Sequence, residues 1–519
     1  MGSFPASLAF LQTAEAYPHP VDGVRLVETH VSWVLLTGTY AYKIKRPVCY
    51  PFVDMRSPEQ RHFYCREELR LNRRFAPNLY LDVVPITSDG VHAGIAGAGE
   101  VIEHAVRMHQ FDTHEELDRL LAEDRIQPRE LEDFGERLSG IHSQIPSIQT
   151  GEQYGSAAFV ASSLHENFAQ TEGISRRLGF GFDSQALGSA LRQRLDAVGG
   201  LIDARHAGGR VRECHGDLHC RNVVRRDGHL IAFDGLEFEP AFRWIDVAEE
   251  IAFLFMDLVR RGGRAPATAF VNGYLGKSGD YEAVRLLRLY GAHRALVRAK
   301  VAALESEGAA DKVREEHASE HHAYVDCARS LLERQSPVLI LTSGLSGSGK
   351  TWLAQRLAGR VGAIHVRSDV ERKRLAGLAP KRPSRSGIDQ GLYRPEANDS
   401  TYGRLASCAA DILAGGFCAI ADATFQRRAD RALFSRLAAD AGVPLILVRC
   451  RAPTEVLRAR ILDRMRKGSD ASDANLAVLE RQQAAFEPID AGEALEILDA
   501  DTTRASIVDD IEHLLKAHS

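Results

Sequence analysis

Val338-Leu-Ile-Leu-Thr-Ser-Gly344-Leu-Ser-Gly-Ser-Gly-Lys-Thr351 runs an apolar stretch into the pattern GxxxxGK[ST], and its reading decides the fold of the last third of the chain. With Trp352-Leu-Ala-Gln-Arg-Leu357 behind it, the stretch reads as a strand, a phosphate-cradling turn and a helix. Gly344, Gly347 and Gly349 let the backbone curl, so that the N–H groups of a loop made with Leu345, Ser346 and Ser348 point inward at phosphates. Lys350 is placed to reach the β/γ-phosphates and Thr351 to offer its hydroxyl to Mg²⁺. The helix that starts here adds the positive end of its dipole. A nucleoside triphosphate with Mg²⁺ is therefore the first ligand expected.

Downstream, the apolar runs 363–366, 417–421, 445–448 and 495–498 alternate with helical stretches. This spacing implies right-handed βαβ crossovers and a parallel sheet covered by helices on both faces, with ligands at the carboxyl ends of the strands. The first run ends in Arg367-Ser-Asp369-Val-Glu-Arg372, which puts Asp369 near the γ-phosphate and Arg372 one helical turn on. Asp422, in Asp-Ala-Thr424, ends the next. Arg458, Arg460, Arg464 and Arg466 cluster further along, with Arg460 and Arg464 on one helix face, and 467–473 reads as a loop beyond them.

These elements resemble the polynucleotide kinase-like and gluconate kinase-like branch of small P-loop kinases, an AAA-type ATP-binding fold. The resemblance implies that Asp369 activates an acceptor hydroxyl and that Arg372 grips an anionic group on the acceptor. It also implies that Asp422 holds Mg²⁺ through water or binds acceptor. Arg460 and Arg464 would neutralise charge from a lid, although an exposed basic helix would look similar.

Upstream, Cys214-His-Gly-Asp217-Leu-His-Cys-Arg-Asn222 is followed by Phe233-Asp234-Gly235, with an Asp227-Gly228 turn between. The hairpin brings the chain back to its start, so Asp217, Asn222 and Asp234 meet. That is kinase grammar: Asp217 orients and deprotonates an acceptor hydroxyl, while Asn222 and Asp234 hold Mg²⁺. The set resembles the aminoglycoside phosphotransferase-like (choline kinase-like) kinases over about residues 25–330. The resemblance implies a small N-lobe, a hinge for adenine and a helical C-lobe with the acceptor pocket. On it, Lys43 in Tyr40-Ala-Tyr-Lys43 pairs with the α/β-phosphates, and Lys45, on the same strand face, is its alternative. A helix over 57–75 supplies the carboxylate partner, Glu68 in preference to Glu67. Thr37-Gly38-Thr39 closes over the phosphates and Val106-Arg107-Met108 leads to the hinge. Asp246 reads as a brace of the catalytic loop or as a helix cap, and His142 as packing. His317 and His321 have metal-ligand spacing, but the Glu-rich context points to an exposed helix face.

The remaining features set bounds. The chain has 519 residues, 45% of them hydrophobic, a net charge of −5 and eight scattered cysteines. That fits several cores, reduced thiols and a cytoplasmic setting, and it gives no global basic field and no membrane-length apolar run. Two α/β domains are expected, a bilobal kinase-like domain over 1–335 and a P-loop kinase domain over 336–519, joined almost without linker. Their partners would be ATP and a hydroxylated small molecule, with an RNA or DNA 5′-hydroxyl, a nucleoside or a sugar acid open for the second. No protein partner is inferable. An ATP-sensing N-terminal domain that controls the P-loop kinase, and a nucleic-acid-stimulated switch ATPase, are the competing readings.

Overall fold

The structure, a computed structural model, describes residues 4–50, 53–149, 151–379, 395–467, 475–490, 493 and 496–516. Of the loop expected at 467–473, residues 468–473 lie outside the described residues. Contacts divide the chain into two compact units. The first comprises Met1–Ile126, Ile141–Val160 and Ile202–Glu250; the second comprises Gln127–Gly140, Ala161–Leu201 and Ile251–Ser519.

The first unit holds an antiparallel sheet of β1 (Arg25–Glu28), β2 (Ser32–Leu36), β3 (Tyr40–Lys45), β4 (Tyr80–Ser88), β5 (Ala93–Ile95) and β6 (Glu100–His109), in the order β1-β2-β3-β6-β4-β5. In β3 the two-residue period sends Tyr42 and Ile44 into a core with Trp33, Leu35, Ile86 and Ala105. Lys43 and Lys45 take the opposite face, where both meet helix α1 (Pro58–Asn72). Ser57 caps α1 by accepting from Gln60 N at 3.2 Å, an interaction typically worth about 1 kcal/mol, and Pro58 follows at the position that tolerates proline. The buried stripe of α1 contains Arg61, Cys65, Glu68 and Asn72, so its inner face is largely polar. Such a face is stable only if each group is paired. Arg61, for example, donates to Glu103 at 2.6 Å. The hairpin β7 (Val223–Arg226) and β8 (His229–Ala232) turns at Asp227-Gly228, both with positive φ (51° and 76°), which matches the twist of a tight hairpin.

The second unit contains helices from the middle of the chain and a five-stranded parallel sheet. Its strands are β9 (Leu339–Ser343), β10 (Ile364–Arg367), β11 (Ala419–Asp422), β12 (Leu445–Arg451) and β13 (Glu496–Asp501), ordered β10-β11-β9-β12-β13. Leu353 and Leu357 from the helix after the phosphate loop pack with Ile507 and Ile511 against Ile340, Ile420 and Val448. Helix Pro395–Ala414 packs against β10 and β11. The edge strand β10 is covered by the helix Arg264–Ser278: Asn272 Nδ2 donates to Ala363 O (3.2 Å) and His365 N donates to Asn272 Oδ1 (2.9 Å). A side-chain amide thus supplies the ladder bonds that a further strand would make.

His321 corrects the expectation of an exposed histidine face. It is fully buried on helix Asp311–Leu332, with Nδ1 2.9 Å from Ala299 O and Nε2 3.1 Å from Ser175 Oγ. The Glu-rich sequence around it lines the other sides of the helix. His317 lies 3.6 Å from Glu305.

Candidate active sites

In the first unit the chain from β3, α1 and the catalytic-loop hairpin converges. Gly216 has φ +82°, and a Cβ there would lie 2.7 Å from Phe242 O, so the tight turn before Asp217 requires glycine. Both main-chain N–H groups at this turn are accepted by one buried carboxylate, His215 N by Glu250 Oε1 (2.7 Å) and Gly216 N by Glu250 Oε2 (3.1 Å). Glu250 is therefore the brace. Asp246 instead takes a two-pronged ion pair from Arg205 (2.7 and 2.9 Å) and accepts from Ala248 N at 2.8 Å. His142 is buried, with Nε2 4.0 Å from Glu250.

The protonation of His215 follows from its neighbours. Its Nε2 lies 2.8 Å from Phe233 O, which can only accept, so Nε2 carries the proton. That leaves Nδ1 to accept from Asp217 N at 3.4 Å. Burial, outweighing the nearby Asp217 charge, pushes its pKa down to about 4, so the ring is neutral at pH 7 and acts as a fixed spacer between the two halves of the site. Asp217 Oδ2 accepts from Asn222 Nδ2 (3.0 Å) and lies 3.4 Å from His219 Nε2.

Lys43 Nζ donates to Glu68 Oε1 at 2.8 Å and contacts Asp234 Oδ1. Lys45 Nζ donates to Glu68 Oε2 at 2.5 Å and contacts Glu237 Oε1. Both lysines thus share Glu68, whereas Glu67 pairs with Arg70 at 2.7 Å. Burial opposes the charge on Lys43, but Asp234 and then Glu68 overcome it and hold the ammonium well above its ordinary pKa. Burial likewise opposes ionisation of Glu68, and the two lysines bring it down to about 2. For Glu237 burial wins and its pKa rises. The side chain of Asp234 is 46% exposed, which leaves it accessible to a cation, and Asn222 and Asp217 are within reach of each other. This oxygen-rich donor set fits Mg²⁺.

In the second unit Gly344, Gly347 and Gly349 have φ of 143°, 83° and 86°, so the loop curls as the glycine spacing requires. Lys350 Nζ donates to Leu345 O at 2.9 Å, and burial lowers its pKa against the attraction of Asp422. Asp422 Oδ2 accepts from Thr351 Oγ1 (2.6 Å), while Oδ1 accepts from Thr342 Oγ1 (2.9 Å), and His365 Nε2 lies 3.3 Å away. Burial works to raise its pKa, but His365, Arg367 and Lys350 hold it well below the usual carboxylate range. A hydroxyl and an ionised carboxylate side by side again fit Mg²⁺. A cavity of about 460 Å³ opens here, lined among others by Lys350, Asp369, Arg372, Asp422, Arg460 and Arg464. Arg372 Nη2 donates to Asn398 Oδ1 at 3.2 Å. Arg460 serves the loop itself, bonding Thr502 Oγ1 (2.8 Å), Thr502 O (3.0 Å) and Gly347 O (3.3 Å). Thr502 Oγ1 in turn donates to Ser348 O at 2.8 Å, and Ser346 N donates to Gln482 Oε1 at 2.8 Å.

Sequence reasoning missed Glu237, Glu250, His365, Gln482 and Thr502. Two of them left a signal: Glu237 stands between Leu236 and Phe238, and Glu250 lies in the first turn of a helix whose following residues, Ile251-Ala-Phe-Leu-Phe-Met256, are apolar. A carboxylate inside an apolar run is a buried one with a task. His365, Gln482 and Thr502 come from distant segments with no local motif.

Residues 39–287 match the Phosphotransferase enzyme family and residues 339–489 match the AAA domain family. The chain is 31% identical over 488 residues to the Uncharacterized protein Rv2004c of Mycobacterium tuberculosis, covering 91% of this chain and 93% of that one. Among solved structures, a choline/ethanolamine kinase family protein from Mesorhizobium loti aligns at 12% identity and TM-score 0.37, over 61% of this chain and 89% of its own. A gluconokinase from Sinorhizobium meliloti aligns at 20% identity and TM-score 0.26, over 36% of this chain and 95% of its own.

Proposed function

The chain belongs to the same family as its mycobacterial relative, pairing a phosphotransferase module with a P-loop kinase module, and on that premise we propose that it is a bifunctional ATP-dependent kinase. We assign these activities to domains spanning 1–335 and 336–519, a division supported by the separate family matches at 39–287 and 339–489. Each transfers the ATP γ-phosphate to an alcohol group: a small hydroxylated molecule for the first, and a nucleic acid 5′-hydroxyl, a nucleoside or a sugar acid for the second. The observation that carries the reading is that each site has its own lysine, its own metal-ready carboxylate and its own candidate base. These are Lys43, Asp234 and Asp217 in one, and Lys350, Asp422 and Asp369 in the other.

In the N-terminal site Asp217, oriented by Asn222, accepts the proton of the acceptor hydroxyl as it attacks. Lys43, positioned by Glu68, holds the nucleotide phosphates. Asn222 and Asp234 would hold Mg²⁺ here, and Thr351 and Asp422 in the other site, where the ion would offset the negative charge of the phosphates. In the C-terminal site Lys350 and the loop N–H groups cradle the phosphates, Asp369 takes the acceptor proton, and Arg372, Arg460 and Arg464 carry positive charge on the cavity wall. Among the described residues no helix is long and apolar enough to cross a membrane. A cytoplasmic setting is consistent with eight free cysteines.

The test is labelled ATP with the full chain, Asp217→Asn and Lys350→Ala, against a metabolite extract and against RNA and DNA carrying 5′-hydroxyls. Each variant should lose a different set of labelled products. If Lys350→Ala alone removes every product, the N-terminal domain is an ATP sensor and not a kinase. ATP hydrolysis that rises with polynucleotide at low salt, without labelled acceptor, would favour the switch ATPase.

A further inference from the structure

The turn that carries Asp234 is held through its main chain to an unusual degree. Phe233 N donates to Asn222 O (2.9 Å) and Phe233 O accepts from His215 Nε2 (2.8 Å). Asp234 N donates to Tyr80 Oη (3.0 Å), Gly235 N to Asn72 Oδ1 (2.7 Å), and Leu236 N to His215 O (2.9 Å). Asn72 Nδ2 faces back to Gly235 O at 3.4 Å and also donates to Glu68 O at 3.0 Å. At the centre, Asp234 has φ +63°, a left-handed conformation that a residue with a side chain adopts at a cost and keeps only where its surroundings enforce it.

We propose that Asn72 and Tyr80 are positioning residues of the N-terminal site, which clamp the main chain on either side of Asp234 and so hold its carboxylate beside Lys43, where it would meet Mg²⁺. Asn72 is fully buried and lies four residues after Glu68, on the same face of α1. One helix therefore sets both the lysine's partner and the aspartate's neighbour. A helix-ending role would use only Asn72 Nδ2 on Glu68 O; the 2.7 Å bond from Gly235 N to Oδ1 is additional. The chemistry explains the residue type. To accept from an N–H and face a C=O of the same glycine, a side chain must hold donor and acceptor together, which an amide does and a carboxylate does not. A carboxylate would also add charge beside Glu68, Asp234 and Glu237. Tyr80 supplies the second acceptor from β4, so the left-handed residue is fixed at its own N–H and at the next.

This inference rests on the N-terminal site being a Mg²⁺–nucleotide site, and its test separates the two. In the full chain carrying Lys350→Ala, ADP affinity is measured by calorimetry with Mg²⁺ and with EDTA, for otherwise wild-type protein, Asn72→Leu and Tyr80→Phe. The expected result is metal-free affinity within about twofold of wild type, and a gain on adding Mg²⁺ that falls about tenfold or more, as for residues that orient metal ligands. Thermal melting identifies an unfolded variant, and if Asn72→Leu fails to fold, Tyr80→Phe, which removes one oxygen, decides. An unchanged Mg²⁺ gain in the folded variants overturns the clamp alone. No Mg²⁺-dependent binding in the otherwise wild-type protein overturns the N-terminal site, and the clamp with it.

Discussion

The two candidate sites hold their lysines, Lys43 and Lys350, in opposite electrostatic settings. Lys43 is matched by Glu68 and Asp234, and Lys45 by the same Glu68 and by Glu237. Lys350 instead donates to a neutral carbonyl and stands at the start of a helix whose dipole favours an anion there. The pKa directions follow, Lys43 up and Lys350 down. On the proposed function, the N-terminal site would exchange an internal ion pair, Lys43 with Asp234, for nucleotide and metal. On the same reading, the C-terminal site would exchange a carbonyl contact and recover a desolvated charge on binding phosphate.

The largest consequence is in the lysines themselves. Lys350→Ala should lower C-terminal phosphotransfer by about 10³-fold, roughly 4 kcal/mol of transition-state stabilisation. Lys43→Ala should cost the N-terminal site less, about 10²-fold, because Lys45 still anchors Glu68 and stands on the same strand face. Initial rates with labelled ATP, each in a chain whose other site is disabled, measure both. An N-terminal loss equal to the C-terminal one would break the comparison.

What could be read in advance followed the same divide. The phosphate loop and the catalytic-loop motif were legible because their chemistry needs fixed residue types at short spacing, and a backbone turn does the rest. The parallel sheet was legible from the strand before the phosphate loop and four further apolar runs at crossover spacing, and the structure has these five strands in the order β10-β11-β9-β12-β13. The support around each site was not. Glu250 was passed over for Asp246 because a helix-capping aspartate and a loop brace look alike in sequence; only the fold shows which carboxylate meets His215 N and Gly216 N. His321 was misread because a helix with charged residues on most sides still has one inward line.

Removing the brace is the next largest test. Glu250→Ala leaves two main-chain N–H groups without their carboxylate under the catalytic loop, which should destabilise the first unit by about 3 kcal/mol. Denaturant unfolding followed alongside the activity of each site checks this. The N-terminal activity should fall first, and C-terminal activity lost at the same denaturant concentration would show that the units unfold together.

Acid sharpens the contrast further. Glu68 ionises near pH 2 in the fold against an ordinary 4.5, so it contributes stability that is fully present above 4.5 and is lost as pH falls toward 2. By linkage the amount is about 3 kcal/mol. Glu237, raised by burial, acts in the opposite sense, so the informative quantity is the difference between wild type and Glu68→Gln. That difference in unfolding free energy should shrink across this window, and a constant difference would mean that the lysines do not hold Glu68 ionised.

Alkaline pH gives the smallest effect and the most direct reading of the two settings. Lys350 has a pKa below the ordinary 10.5, so in the free protein its charge disappears earlier as pH rises. Lys43, held above that value by Asp234 and Glu68, keeps its charge through the same range. Below either folded pKa both lysines are cations and the sites should show no difference of this origin. Above the Lys350 value, kcat/KM for ATP at the C-terminal site should fall about tenfold per pH unit, since one proton separates the competent from the incompetent form. The N-terminal site should stay level there. Profiles measured with Asp217→Asn for the C-terminal site and Lys350→Ala for the N-terminal site compare them directly. If both fall at one pH, the carboxylates around Lys43 do not set its proton affinity, and the two lysines differ in geometry alone.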